Sequence, residues 1–97
     1  MKFKKIASIT INDAKWSIGY GYPGKTDGKT NDGICDYEKR RITISRGSTR
    51  NLLDVLAHEI LHARFIDLTE ESVNEAAGII DEAYGAFSKF QLARHGG

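Results

Sequence analysis

The residues whose types and spacing could do chemistry lie in one short stretch, Ala57-His58-Glu59-Ile60-Leu61-His62. Positions four apart share a face of an α-helix, so His58 and His62 can turn imidazole nitrogens toward a single metal ion. Glu59 sits about 100° round the same helix, beside them. Two neutral nitrogen donors with an adjacent carboxylate are the parts of a zinc-dependent hydrolytic site. The imidazoles hold Zn2+, and the carboxylate takes a proton from a water held there.

A helix must carry these groups, and the surrounding residues predict one over 48–66. Leu52, Leu53, Val55, Leu56, Ala57, Ile60, Leu61, Ala63, Phe65 and Ile66 are spread almost all round it, so it is expected to be largely buried. Ser48 or Thr49 is expected to cap it, and Asp54 suits the positive end of its dipole. Three titratable groups in so apolar a helix need compensation, because an unpaired buried polar group is costly. If the histidines merely pack or hydrogen-bond, that cost stays unmet.

Compensation is available just downstream. Thr69 or Asp67 is expected to cap a second helix over 69–93, with Glu70 and Glu71 in its first turn. Val73, Ala76, Ala77, Ile80, Tyr84, Phe87 and Gln91 follow helical spacing, which predicts packing against the first helix as an antiparallel hairpin. Tyr84 could donate a hydrogen bond in a cleft, but its spacing assigns it to the core. A catalytic zinc takes three protein ligands and keeps one position open, so a third donor is expected from this helix. Glu70, Glu71 and Glu75 are the candidates. With the hairpin pivoting near Leu68, either Glu71 reaching back or Glu75 reaching across could close the site. We expect Glu71 as ligand, with Glu75 behind it as hydrogen-bond acceptor for a ligand imidazole. The dipole alone would also favour glutamate in a first helical turn.

The chain before residue 48 reads as β-structure. Phe3 to Ile11 and Trp16 to Tyr20 predict two antiparallel strands across an Asn12-Asp13 turn, and Ile34–Tyr37 with Arg41–Ser45 predict a second hairpin. Between them, residues 21–33 hold four glycines, Pro23, Asp27, Asn31 and Asp32, which predicts a mobile loop. The expectation is a single α+β domain over 1–97: a small antiparallel sheet of about four strands over 1–47, then an antiparallel helix pair.

Composition narrows the function classes. The 97-residue chain has 14 basic and 13 acidic residues and a formal net charge of +1, so no global field draws nucleic acid or an anionic membrane. No apolar run is long enough for a membrane span, and no secretory signal is evident, which predicts a soluble, cytoplasmic protein. Cys35 is the single cysteine, expected to sit in the core or a strand, and it fits a reducing compartment. Gly19-Tyr20-Gly21-Tyr22-Pro23-Gly24-Lys25-Thr26 matches the phosphate-cradling pattern G-x-x-x-x-G-K-[ST]. That chemistry requires a helix starting at the lysine, and the next residues, Asp27-Gly28-Lys29-Thr30-Asn31-Asp32-Gly33, are a run of turn formers. Nucleotide binding is therefore not expected.

The order of a β-region, the strand Arg41-Ile42-Thr43-Ile44-Ser45, the motif His58-Glu59-Ile60-Leu61-His62 and then Leu68-Thr69-Glu70-Glu71-Ser72-Val73 resembles the zincin metallopeptidases of the gluzincin type. The chain is most similar to their small single-domain members, the phage-type metallopeptidases and minigluzincins. The resemblance covers most of the chain after Gly33. It implies a zincin-like fold, Zn2+ on His58, His62 and a glutamate, Glu59 as general base, and hydrolysis of peptide bonds in a peptide or protein substrate. In that family the ligand glutamate is followed four residues later by an acidic partner, and Glu71 with Glu75 matches. The spacing from His62 to Glu71 is shorter than in the large family members. The resemblance also implies an edge strand holding an extended peptide, for which Arg41, Ile42, Thr43 and Ile44 are the candidates. The alternative is a zinc-binding protein-interaction module of the same fold without turnover.

Overall fold

The computed structural model describes residues 2–95, with side chains through residue 91. Two hairpins make the main sheet: β1 (Lys4–Ile11) with β2 (Ala14–Tyr20), and β5 (Gly33–Asp36) with β6 (Arg41–Ile44). Between them β3 (Lys25–Thr26) and β4 (Lys29–Thr30) form a separate ribbon, and α1 (Leu52–Arg64) and α2 (Glu70–His95) follow. The fold class is α+β, a four-stranded sheet followed by a helix pair, as the sequence predicts.

The sheet is mixed rather than antiparallel, in the order β1-β2-β6-β5. β2 ends at Tyr20 and β5 begins at Gly33, and both lie level with Ile44 of β6. The loop therefore returns to the same end of the sheet but skips one strand position. β6 turns back into that gap and runs parallel to β2, from Ser17 opposite Arg41 to Tyr20 opposite Ile44. Strand β6 is consequently central, and Ile42, Thr43 and Ile44 are all buried. The expectation that Arg41–Ile44 forms a peptide-binding edge is corrected by this pairing. Its backbone is engaged on both sides, and Arg41 lies over the Phe3 ring, 4.3 Å from its centroid.

The β1–β2 turn uses Asn12 and Asp13 at φ 51° and 62°, the left-handed pair that matches strand twist in a two-residue hairpin. Asn12 has a second task. Its Nδ2 donates to the carbonyls of Ala63 at 3.3 Å and Arg64 at 3.1 Å, two of the orphan acceptors at the end of α1. Asn12→Gly keeps the turn and loses these bonds, so we expect a cost of about 1 kcal/mol, read as a fall in melting temperature of roughly 4–8 °C.

Helix α1 starts at Leu52, four residues later than expected, because Ser48 is used elsewhere. Its Oγ donates to Asp32 at 2.7 Å and accepts from the Arg50 N–H at 3.2 Å, a local turn that competes with helix initiation. Asn51 takes the N-cap position, and Asp54 lies in the first turn. The core is built by Ile11, Trp16, Ile18, Ile42, Ile44, Val55 and Ala63, sheet residues against one face of α1.

Thr69 caps α2 as expected, its Oγ1 accepting from the Ser72 N–H at 3.1 Å. The expected packing of α2 holds only over its first part. Val73 and Ala77 are fully buried, whereas Ile80, Tyr84 and Phe87 are 43%, 61% and 73% exposed, so Tyr84 is not a core residue. Length explains this: 26 helical residues span about 39 Å and the 13 of α1 only about 20 Å. A bond of 2.9 Å between Asn51 Nδ2 and Asp81 Oδ2 marks the N-terminal end of α1, beyond which α2 runs on without it.

Candidate metal centre

His58 and His62 face the first turn of α2. Their Nε2 atoms lie 3.2 Å apart, and both meet one carboxylate: His58 Nε2 is 2.8 Å from Glu70 Oε1 and His62 Nε2 is 2.9 Å from Glu70 Oε2. Among the described residues these three form a group able to hold a metal ion. Glu70, not Glu71 or Glu75, is the carboxylate brought to the histidines; all three glutamates are exposed, and the other two lie outside the group. The reason is where the helices end. α1 stops at Arg64, and Phe65–Thr69 forms a connector that includes a Leu68 N–H to Phe65 O bond of 3.2 Å, so the very first residue of α2 lies level with His58 and His62. The expected role of Glu75 behind a ligand ring is likewise not seen. His58 Nδ1 is buried without a partner among the described residues.

The donor set fits zinc. Four ligands at about 2.0 Å in a tetrahedron lie roughly 3.3 Å from one another, close to the separation of the two Nε2 atoms. Without a cation, two imidazole nitrogens at 3.2 Å require one of them to carry a proton. A metal ion relieves the facing lone pairs, and the Glu70 carboxylate supplies charge.

Glu59 sits beside this group, 7% exposed. Burial pushes its carboxyl up to about 7, the Glu70 charge adds to this, and Arg50 partly offsets it. Its partner wall is the start of β5. A Cβ on Gly33 would lie 3.2 Å from Glu59 Cγ and Oε2 and 3.1 Å from Val55, so glycine permits the strand to pass directly over the carboxylate. Sequence reasoning did not single out Gly33; the signal is a glycine opening a strand just after a turn-rich loop.

The cleft above the histidines is lined by Thr26, Asn31, Ile34, Cys35, Tyr37, Glu59 and Glu70 and encloses about 340 Å³. A polar hollow of about 250 Å³, with Asp32, Arg50 and Asn74, adjoins it across His58 and Glu59. β5 is, with β1, one of the two edge strands of the main sheet, and it forms one wall of the cleft. Tyr37 closes the far end. Its hydroxyl donates to the His62 carbonyl at 2.6 Å, holding the last turn of α1, and its ring meets Trp16 edge-on. Burial and the nearby Glu59 charge push the Cys35 thiol up to about 11, which keeps it a neutral wall residue. A separate apolar cavity of about 190 Å³, between β1 and Leu52, Leu56 and Ile60 of α1, has none of these residues in its lining.

The glycine-rich stretch adopts a different shape from a phosphate-binding loop. Lys25 and Thr26 lie in β3, and Asp27 and Gly28 turn the chain at φ 52° and 78° into β4, so no helix begins at the lysine. The ribbon replaces the expected unstructured loop, and Thr26 reaches the cleft.

No helix among the described residues is long and apolar enough to cross a membrane. No family model, curated protein or solved structure matches this chain.

Proposed function

We propose that the protein is a zinc-dependent metallopeptidase, with His58, His62 and Glu70 as metal ligands and Glu59 as general base. The observation that carries this reading is the single Glu70 carboxylate spanning both Nε2 atoms, with the buried Glu59 one residue along from His58. Zinc, when bound, supplies Lewis-acid polarisation and an acidified water. Glu59 is placed to accept a proton on its carboxylate and return it to the leaving amine. The raised affinity of Glu59 for a proton suits a base that must also act as an acid near neutral pH. The free edge of β5 offers unpaired N–H and C=O groups to an extended peptide, and a peptide substrate needs no more than main-chain recognition there. The free Cys35 fits a reducing, cytoplasmic setting.

Metal analysis of purified protein tests the ligand set. Wild type is expected to hold one zinc per chain; His58→Ala, His62→Ala and Glu70→Ala are expected to lose it at least about tenfold more readily to a chelator, whereas Glu71→Ala and Glu75→Ala keep it. Wild type without zinc, or Glu70→Ala indistinguishable from wild type, would overturn the assignment. Zinc retained on the three ligands without cleavage of any denatured protein would instead identify a zinc-held interaction module.

A further inference from the structure

The second half of α2 leaves the globule carrying an apolar face that has no neighbour among the described residues. From Ile79 onward, about where the Asn51–Asp81 bond ends the contact with α1, Ile79, Phe87 and Phe90 are 60%, 73% and 62% exposed. Exposure of this kind marks an interaction surface, because single apolar residues scatter on surfaces whereas a contiguous patch is rare.

The spacing says what fits it. Ile79, Ala83, Ala86 and Phe90 succeed each other at intervals of four, three and four, the heptad seam of a paired helix. The seam points away from the globule, since the partly buried positions Asp81, Gly85 and Ser88 lie on the opposite side of the helix. Ile80 and Phe87 flank one side of the seam. Exposed Glu82 and Lys89 flank the other.

We propose that this face binds a second copy of the chain, α2 against α2 in antiparallel register about a two-fold axis near residues 84–85. In that register each interval is self-complementary. Ile79 meets Phe90 of the other copy, Ala83 meets Ala86 so that the backbones approach closely, Ile80 meets Phe87, and Glu82 meets Lys89 twice over. Large side chains face one another at the ends and small ones at the centre, and both charged flanks are matched. The large apolar side chains present roughly 600 Å² per copy, so the pair would bury about 1,200 Å², the lower bound for a specific interface. The site cleft lies at the other end of α2, so the dimer leaves it open and does not depend on the metal.

Sedimentation equilibrium of the full chain tests this. Wild type at micromolar concentration is expected at twice the 10.8 kDa chain mass. Glu82→Lys and Lys89→Glu each place like charges opposite one another at two symmetric positions and are expected to weaken the dimer about tenfold, more at low salt. The double variant Glu82→Lys/Lys89→Glu restores the pairing and should return to wild-type affinity. All three changes are on exposed positions, and helix content by circular dichroism should not change. A monomer at about 100 μM, single variants that dimerise like wild type, or a double variant no stronger than the singles overturns the proposal. Equal association of wild type and metal-free protein is expected, which separates this result from the zinc assignment.

Discussion

Glu59→Gln is expected to retain zinc, to lose peptide hydrolysis by about 10²–10⁴-fold, and at the same time to stabilise the metal-free protein. Loss of activity is expected because the change removes the carboxylate that, among the described residues, is buried beside the histidines, while leaving His58, His62 and Glu70 unchanged. The gain in stability follows from the same burial. An ordinary glutamate titrates near 4.5, and desolvation lifts Glu59 to about 7. Between these values the folded chain keeps a proton that the unfolded chain has released, so stability falls as pH rises through this window. The full penalty, on the order of 3 kcal/mol, is present above about pH 7. Glutamine fills the same volume without the charge. Urea unfolding of the metal-free proteins should therefore show the variant more stable at pH 8 and the two nearly alike at pH 4.5. Equal cleavage rates would remove Glu59 from the chemistry; equal stabilities at pH 8 would show that its carboxylate is not desolvated.

Gly19→Ala is expected to lower the melting temperature by roughly 12–24 °C. β1 carries a bulge between Lys5 and Ala7, and Gly19 of β2 lies opposite it. A Cβ there would overlap the Lys4 carbonyl oxygen and come within 2.8 Å of the Lys4 carbonyl carbon and 2.9 Å of Lys5 Cα. All three are backbone atoms fixed by the ladder, so relief requires β1 to separate from β2 at its first pairs. We expect a loss of about 3 kcal/mol or more, against a total of roughly 5–15 kcal/mol for a domain of this kind. Gly24→Ala is the control: its φ of 87° is strained for alanine, yet nothing lies within 4 Å, and the cost should be near 1 kcal/mol. Thermal melts monitored by circular dichroism compare the two, and equal melting temperatures would refute the bulge argument.

The contrast between these positions shows what kind of information a single chain carries. His58, Glu59 and His62 were legible because a helical period is local: four residues make one turn whatever surrounds them. The cap at Thr69 was legible for the same reason, and so was the failure of the Gly24-Lys25-Thr26 stretch to make a phosphate site. The third donor was not. Choosing among Glu70, Glu71 and Glu75 requires knowing where α1 ends, and that depends on the Phe65–Thr69 connector and on Asn12 and Tyr37, which reach α1's last carbonyls from the sheet.

Strand order was hidden for a comparable reason. Arg41–Ile44 alternates like a half-exposed edge, but whether a strand is central depends on which partner the preceding loop leaves room for. Residues 21–32 return the chain to the end of β2 from which it left, one strand position further across, and β6 fills the gap. The edge thus passes to β5, and with it the wall of the cleft. Local periodicity and turn chemistry in the chain determined the helix pair, the hairpins and the two histidines with their glutamate. Only the tertiary structure decided that Glu70 joins them, that β5 borders them, and that half of α2 has no neighbour among the described residues, because each depends on element lengths and end points that non-local contacts set.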